Sequence, residues 1–465
     1  MNNNYYKEKD YYINEKDKPS ERQMSAENYL KEYNIQEILI EMINYLLHKK
    51  SKSPIVSMIK YLGGLLTEKE RQENNITIPD PQIDYHPIVD PPKFKENCHS
   101  LLKEYLTDEI FSNLMTKISK YGINMRDLIR INKEFPKNNI GIMLGDVDSL
   151  KKFESLYKPI ICKAHNLDIN NLKDYTPNNF NLVNLEFKDI KKVNIEDIKG
   201  LKKISFSISR NLVDSPFVCF LNIENRTEKI VKQLQEINRV KSIQYLKRKE
   251  NLNKKDLMDL LRKINYDIDF WDAVNPSDYL ITKQRIIYQS NNDETIVLIN
   301  FCDNFQIIKN IFFEEIKNEE KKSEEKNKEN KDNKNNNIKS SNDIFIQTFN
   351  ELNDLIRNVQ YYYGFVFDHN FGYLTSNIAL LGRGFSITTE VDLDKLLVKD
   401  FDNDKLQEKI YSYDKFDKYT DTFSINKNDN DDNILVFTSS PKISEDSISK
   451  FFVEYFEKII GLKNI

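Results

Sequence analysis

The chain has few of the residues that build metal centres and disulfide frameworks. Its 465 residues include four cysteines and five histidines, and no two of the cysteines form a CxxC pair. Such scattered ligands do not have the spacing of a structural zinc site. The sequence therefore predicts no metal site and favours a reducing compartment.

Long apolar runs are also missing. No stretch approaches the roughly 20 apolar residues of a membrane-spanning helix, and the polar start, Met1 to Lys7, lacks the apolar segment of a secretory signal. Acidic and basic residues nearly balance, 73 against 69, with a net charge of −4. A field of one sign that could hold nucleic acid is therefore absent. We expect a cytoplasmic protein that binds neither membrane nor nucleic acid.

Glycine and proline are scarce, at 11 and 13 residues, which excludes collagen-like and proline-rich architectures. The length exceeds the roughly 250–300 residues at which a single core stops growing. Two tracts, Lys317–Asn342 and Asn426–Asp432, are too polar to pack, and we interpret them as disordered surface insertions. The predicted parts are a disordered tail at 1–24, two helices at 25–66, a Pro-rich linker at 67–97, a helical domain at 98–195 and a larger domain at 196–465.

Residues 25–66 have the pattern of two short amphipathic helices. Apolar residues recur at three-and-four spacing, Pro54 fits the first turn of the second helix, and Gly63-Gly64 end it. Helices this short cannot bury their apolar stripes alone, which indicates that a partner covers them. The predicted partner-binding groove consists of Ile35, Ile38, Leu39, Met42, Ile43, Leu46, Pro54, Ile55 and Ile59.

This segment resembles the RIIa-type dimerisation/docking domain of protein kinase A regulatory subunits and several ciliary proteins. The shared features are Tyr29-Leu30, the helix opening near Ile35, the Leu39/Leu46 stripe and the Lys-Ser-Pro-Ile turn at 52–55. The resemblance implies a homo- or heterodimer that receives an amphipathic helix of an axonemal scaffold protein. The alternative is an ordinary helical hairpin packed on the domain that follows.

Three stretches of the remaining chain resemble the phosphagen kinases, the creatine and arginine kinase family. The first runs from Leu106-Thr107-Asp108-Glu109 to Leu156-Tyr157-Lys158-Pro159-Ile160-Ile161, the second spans 285–300 and the third spans 371–382. The resemblance implies an α+β fold, with a small all-helical domain followed by a large antiparallel sheet flanked by helices. Apolar patterns alone predict strands at Ile204–Ile208 and Ile296–Ile299 and a closing helix at Ser447–Ile460.

The side chains that this resemblance assigns to catalysis are replaced here. Phosphoryl transfer to a guanidine needs arginines at the phosphate oxygens and carboxylates at the guanidinium. One arginine of the family's pattern survives, as the vestigial Arg210. Counted without gaps, the family's phosphate-binding arginines fall on Ser205, Ser207, Gln306 and Ser386, its central carboxylates on Phe301 and Cys302, its histidines on Gln289 and Glu390, and its reactive cysteine on Asn377.

From these replacements the sequence predicts no catalytic residues, no bound cofactor and no enzyme activity. We expect a non-catalytic structural or adaptor protein of the ciliary axoneme, in a radial spoke, assembled through the RIIa-type helices. Two alternatives stay open. One is an active ATP:guanidine phosphotransferase with a rearranged site, and the other is a regulatory subunit that binds nucleotide, for which Arg210 and Arg383 are the candidate ligands.

Overall fold

The structure is a computed structural model that divides into two compact units, Met1–Tyr85 and His86–Ile465. None of the helices in its described part is long and apolar enough to cross a membrane. The structure describes residues 28–33, 35–49, 54–66, 70, 73–74, 91–96, 98–134, 138–180, 193–213, 215–217, 240–241, 243–249, 254–264, 286–301, 303–313, 340–396, 410, 416–427, 433–445 and 447–462.

The first unit contains a hairpin of two helices, α1 (Ile35–Lys49) and α2 (Pro54–Gly64). Met42 is buried in this hairpin, and the Tyr61 hydroxyl of α2 donates a 2.7 Å hydrogen bond to the Glu41 carboxylate of α1. Both helices fall within the segment in which the sequence predicts two amphipathic helices.

The second unit begins with a group of short helices, some of which have N-termini capped by side chains. Ser100, Thr107 and Asp146 each accept a hydrogen bond from a backbone N–H of the following first turn, which satisfies a donor that the helix itself cannot pair. The helices are α3 (Leu101–Tyr105), α4 (Asp108–Leu114), α5 (Met125–Glu134), α6 (Val147–Lys152), α7 (Glu154–Ala164) and α8 (Pro177–Phe180).

The described strands of the second unit are β1 (Leu201–Arg210), β2 (Lys247–Lys249), β3 (Ile286–Gln289), β4 (Thr295–Ile299), β5 (Phe305–Phe312), β6 (Phe367–Asp368), β7 (Gly372–Tyr373), β8 (Phe385–Asp392), β9 (Asp421–Lys427) and β10 (Asn433–Ser439). Eight of them form an antiparallel sheet at the centre of the unit, in the order β2-β3-β4-β5-β1-β8-β10-β9. The other two, β6 and β7, pair with each other.

Helices cover both faces of this sheet. On one face, α10 (Ser341–Tyr362) and α12 (Ile448–Gly461) pack on β1 through a cluster of phenylalanines around Phe206. The side chains of Leu257 and Leu261 in α9 (Lys254–Lys263) form a second core with Ile296 and Leu298 of β4. Because these β4 residues alternate with Val297 of the main core, α9 lies on the opposite face. A short helix, α11 (Leu393–Leu396), follows β8.

This architecture confirms the predicted α+β fold with a large antiparallel sheet flanked by helices. The two predicted strands lie within β1 and β4, which are longer than predicted. The predicted closing helix overlaps α12. At one end of each predicted insertion, Lys317–Asn342 and Asn426–Asp432, the described residues belong to a regular element instead. A capping box between Ser340 and Asp343 starts α10 at Ser341, and pairing with β10 extends β9 to Lys427.

Candidate active site

The candidate site is the polar face that β5, β1 and β8 present on the α9 side of the sheet. Ser207 lies directly opposite Ser386 of β8, and the Gln306 side chain of β5 donates a 2.7 Å hydrogen bond to the Ser207 hydroxyl. All three side chains are half-buried. The structure therefore brings together three of the four positions to which the resemblance assigns phosphate-binding arginines.

The fourth such position, Ser205, lies on the same face but is buried. Its hydroxyl donates a 2.7 Å hydrogen bond to the Asn310 side chain of β5. Further along the same face, Thr388 and Thr438 share a hydrogen bond of 2.8 Å. These paired hydroxyl and amide groups give the face hydrogen-bonding capacity without charge at the four assigned positions.

Charge on this face is concentrated in an ion pair at one end. Lys203 Nζ lies 2.6 Å from the Glu390 carboxylate and donates a second hydrogen bond of 2.6 Å to the backbone carbonyl of Lys263. The Lys203 side chain is only 5% exposed, and its hydrogen bond to the Lys263 carbonyl holds the C-terminal end of α9 against the sheet. Glu390, to which the resemblance assigns a nucleotide-side histidine, is therefore already engaged by a cation.

The turn between β4 and β5 holds the positions to which the resemblance assigns the family's acidic run, Asn300 to Asp303, and three of these four residues are described. Phe301, to which the resemblance assigns a carboxylate, is 1% exposed and packs in the second core beneath α9. Asp303 is buried, and its Oδ1 accepts hydrogen bonds of 2.7 Å from the Asn211 side chain and the Ser376 backbone N–H. Burial raises the pKa of the Asp303 carboxyl. Cys302 lies outside the described residues.

Arg210, the surviving arginine, points into the protein. Its Nη1 donates hydrogen bonds of 2.8 Å to the Ser209 carbonyl and 2.7 Å to the Arg383 carbonyl. Its guanidinium carbon lies 3.9 Å from the centre of the Tyr373 ring, a cation–π arrangement. Burial lowers the pKa of Arg210 to about 10, while Tyr373 and Asp303 oppose this shift. Arg210 therefore ties β1 to the loop before β8.

That loop needs a glycine beside Arg210. Gly384 has a φ of +59°, and a β-carbon added there would collide with Arg210 Nη1 and the Ser209 carbonyl. Its neighbour Arg383 is 5% exposed, with its guanidinium carbon 5.7 Å from the centre of the Phe180 ring. The two candidate nucleotide ligands, Arg210 and Arg383, thus meet inside the fold rather than on the polar face. Sequence reasoning did not find the buried hydrogen bonds of Asp303, because its partners Asn211 and Ser376 lie 92 and 73 residues away in the chain.

Gln289 and Asn377, to which the resemblance assigns a histidine and the reactive cysteine, also make structural contacts. Gln289 Nε2 donates a 2.6 Å hydrogen bond to Asp293 within the β3–β4 hairpin. Asn377 caps the 3₁₀ turn Ile378–Leu380 by accepting a hydrogen bond from the Ala379 N–H. In the described part of the chain, no group of three His, Cys, Asp or Glu side chains could hold a metal ion.

A buried histidine anchors this 3₁₀ turn to the helical part. His165 follows α7, and its Nε2 lies 2.7 Å from the Ile378 carbonyl while its Nδ1 accepts a hydrogen bond from the Ile443 N–H. These two contacts require a neutral ring with the proton on Nε2. Burial is the main cause that lowers the pKa of His165 to about 4; the nearby Lys442 contributes to this shift, while the hydrogen bond to Ile378 and the charge of Asp417 oppose it.

We expect this histidine to make the fold acid-sensitive. Because the pKa of His165 is about 4 in the folded protein and 6.5 in the reference state, the unfolded chain binds more protons between these values. The contribution is fully present above pH 6.5 and falls by about 3 kcal/mol as the pH drops to 4. Urea unfolding at pH 7, 6 and 5 measures it. The same slope in His165→Gln, which does not titrate there, would contradict the assignment.

The hairpin residues of the predicted groove differ in how far they are buried. Leu39, Ile43, Pro54, Ile55 and Ile59 are exposed, Met42 is buried, and Ile35, Ile38 and Leu46 are half-buried. The structure adds exposed apolar residues that the predicted groove does not include, although the same three-and-four spacing could have placed them there. They are Ile40, Leu47, Leu62 and Leu65.

Solved structures that resemble this fold include a taurocyamine kinase and a lombricine kinase. The substrate-free duplicated taurocyamine kinase of Schistosoma mansoni matches with a TM-score of 0.55 and 14% identity, covering 79% of this chain and 47% of that chain. A crystal structure of lombricine kinase matches with a TM-score of 0.51 and 14% identity, covering 79% of this chain and 92% of that chain. At this identity the likeness shows the fold alone.

The match to a family model lies in the helical part. Residues 96–162 match the family model of the ATP:guanido phosphotransferase N-terminal domain. A probable arginine kinase of Caenorhabditis elegans is 36% identical over 69 residues, 15% of this chain and 17% of that relative. An arginine kinase of Amphioctopus fangsiao is 34% identical over 73 residues, which are 16% of this chain and 21% of that relative. The chain thus matches about a fifth of these relatives' length, and residues 96–162 form an ATP:guanido phosphotransferase N-terminal domain.

These relatives confirm the predicted family resemblance for that domain, and they correct one expectation. The prediction that the chain is not an enzyme is wrong, because the matching relatives are named as arginine kinases. The prediction depended on counting replaced side chains at positions assigned without gaps. Such replacements describe those positions and do not establish that a chain lacks activity.

Proposed function

We propose that the chain is an ATP:guanidine phosphotransferase whose substrates lie on the polar face of β5, β1 and β8. The observation that carries this proposal is the convergence of Ser207, Gln306 and Ser386 on one face of the sheet. Their counterparts in the family are assigned to phosphate binding, so a homologous site requires these distant positions to meet. The ATP:guanido phosphotransferase N-terminal domain at residues 96–162 supports the same reaction class.

The chemistry of this face predicts a slow enzyme. Phosphoryl transfer is catalysed mainly by positioning and by groups that stabilise the transferring phosphate's charge. Hydroxyl and amide donors hold phosphate more weakly than a guanidinium does. Removing one transition-state donor costs about 10²–10³-fold in kcat, so we expect turnover at least about 10³-fold below that of an arginine kinase.

A coupled assay tests the proposal. The full chain is incubated with Mg·ATP and, in turn, arginine, taurocyamine, lombricine and creatine, with an arginine kinase as the positive control. Ser207→Asp with Ser386→Asp should abolish transfer, because two carboxylates on this face repel a polyphosphate. Ser112→Asp, on an exposed face of α4, should not. The proposal fails if no acceptor is phosphorylated and calorimetry detects no binding of Mg·ADP.

We further propose that the α1–α2 hairpin assembles the protein as a dimer and binds an amphipathic helix. The supporting observation is the exposed apolar surface on both helices, with Leu39 and Ile43 on α1 and Ile55 and Ile59 on α2. Exposed apolar side chains at helical spacing are the kind of surface that helix-in-groove recognition uses. The partner is a second copy or a related hairpin, and the docked helix belongs to an axonemal scaffold protein.

Charges on this surface should break the assembly. Each buried apolar side chain contributes about 1.5–3 kcal/mol, so Leu39→Asp with Ile43→Asp should weaken dimerisation by at least about 100-fold. Light scattering after size-exclusion chromatography measures the mass over a dilution series. Gln36→Asp, which adds a charge at another exposed position of α1, is the matched control. An unchanged mass in the double variant would contradict the dimer.

We propose the ciliary axoneme, in a radial spoke, as the location, since the resembled docking module occurs in ciliary proteins. A tagged chain expressed in ciliated cells should stay with the axoneme after detergent extraction. The Leu39→Asp/Ile43→Asp variant should be released into the soluble fraction. Release of the unmodified chain would argue against this location.

A further inference from the structure

Three half-buried side chains of β8 form a row on the polar face. Ser386, Thr388 and Glu390 alternate with the buried Ile387 and Thr389, so all three point to the α9 side of the sheet. Because a strand rises about 3.3 Å per residue, Ser386 and Glu390 lie about 13 Å apart. The row is therefore comparable in length with a nucleoside diphosphate that is extended along the strand.

The chemistry of this row changes from one end to the other. Beside Ser386, the Ser207 hydroxyl and the Gln306 amide supply donors that a phosphate can use. In the middle, the hydroxyls of Thr388 and Thr438 lie 2.8 Å apart, and they can both donate to and accept from the hydroxyls of a ribose. The far end of the row carries a carboxylate, which only accepts.

That carboxylate, of Glu390, is held in place by an ion pair. Lys203 Nζ lies 2.6 Å from its Oε1 and also donates to the backbone carbonyl of Lys263, which fixes the carboxylate near the end of α9. The Lys203 side chain is 5% exposed and that of Glu390 is 22% exposed, so a ligand on this face meets the carboxylate before the ammonium. A carboxylate has about four lone-pair sites and can accept from Lys203 and from a ligand at the same time.

A fixed carboxylate distinguishes the two purine bases by the edge that each presents. Guanine has two neighbouring donors, N1–H and the 2-amino group, and the two oxygens of a carboxylate can accept from both. Adenine has a single amino group flanked by ring nitrogens that are acceptors, and an acceptor that faces a carboxylate is repelled. A site that is built to accept hydrogen bonds rejects a ligand that lacks the matching donors.

We propose that the polar face binds guanine nucleotides in preference to adenine nucleotides, with the base on Glu390. The phosphates lie at Ser207 and Ser386, and the ribose lies over Thr388 between the phosphates and the base. This inference rests on the proposed function, which assigns the phosphate end of the row. It names the nucleotide that the site prefers, so that GTP is the better phosphoryl donor and ATP the weaker one.

Calorimetric titration of the unmodified full chain with Mg·GDP, Mg·IDP and Mg·ADP tests the preference without any substitution. Inosine diphosphate keeps the N1–H of guanine and lacks the 2-amino group, so it separates the two predicted hydrogen bonds. We expect Mg·GDP to bind at least about tenfold more tightly than Mg·ADP, because hydrogen bonds to a charged group are the stronger ones. Mg·IDP should lie between the two.

The substitution Glu390→Gln should reverse the preference. An amide oxygen can still accept from Lys203, while the amide as a whole both accepts and donates, which matches the amino group and adjacent ring nitrogen of adenine. We expect this variant to bind Mg·ADP more tightly than Mg·GDP. The matched control is Glu351→Gln, because Glu351 pairs at 2.7 Å with Lys309, a lysine of which 7% is exposed, on the α10 side of the sheet. The control should keep the preference of the unmodified chain.

The possible results separate this inference from the proposed function. Equal or tighter binding of Mg·ADP by the unmodified chain would overturn the guanine preference and leave the phosphotransferase proposal intact. A guanine preference that survives equally in both variants would overturn the assignment of the base to Glu390. Preferential binding of Mg·GDP without transfer from Mg·GTP or Mg·ATP to any acceptor would support the inference and contradict the phosphotransferase. Absence of binding of all three nucleotides would overturn both.

Discussion

Arginines placed at Ser207 and Ser386 should increase the affinity for Mg·ADP by at least about 100-fold, because a hydrogen bond to a charged group contributes about 1.5–3 kcal/mol. The two positions face each other on neighbouring strands and are half-buried, so a guanidinium can reach a phosphate from each. Gln306→Arg should add a third increment, since its side chain already contacts Ser207. Ser205 is unsuitable because it is buried against Asn310.

Calorimetric titration with Mg·ADP measures this gain, and the coupled assay shows whether turnover rises with it. The matched control places arginines at Thr422 and Ser424, two exposed positions on the edge strand β9 of the same sheet. Equal gains in the two double variants would mean that added positive charge alone attracts the nucleotide. No gain in a folded Ser207→Arg/Ser386→Arg protein would remove the polar face as the phosphate site.

Phe206→Ala should destabilise the second unit by about 3–5 kcal/mol. Phe206 is fully buried in β1, and its ring meets those of Phe345 and Phe349 from α10, Phe385 from β8 and Phe452 from α12. Truncation leaves a cavity at the point where two helices and two strands converge, and a densely packed aromatic cluster collapses only partly into it.

The free energy of unfolding in urea measures this loss. Phe423→Ala removes the same atoms from the edge strand β9, where the ring is half-buried, and should cost only about 1 kcal/mol. Losses of similar size in the two variants would contradict the expectation that the buried Phe206 cluster contributes more to stability than a half-buried ring on the edge strand.

Elements with a strong apolar period could be predicted from the sequence. In Ser205-Phe206-Ser207-Ile208, apolar and polar residues alternate, which is the pattern of a strand with one buried face. The bounds differ from the prediction because pairing decides them. Contacts with β5 and β8 extend β1 to Leu201 and Arg210, and neither strand is near β1 in the sequence.

The candidate site could be predicted only in part. Motif counting identified the positions of Ser207, Gln306 and Ser386, and the fold brings them together. It could not show that Phe301 belongs to a second core or that Arg210 stacks on Tyr373, because both facts depend on contacts between distant segments. On the hairpin, helical spacing predicted an apolar stripe but not which of its residues face inward.

By itself, the sequence determined the periods of the strands and helices and which residues stand at the positions that the resemblance assigns to catalysis. The tertiary structure decided which of those positions meet, which are buried and which face outward. The reason is physical. Periodicity is a property of neighbouring residues, whereas the register between β1, β5 and β8 comes from non-local pairing, and a shift of one residue moves every side chain to the other face.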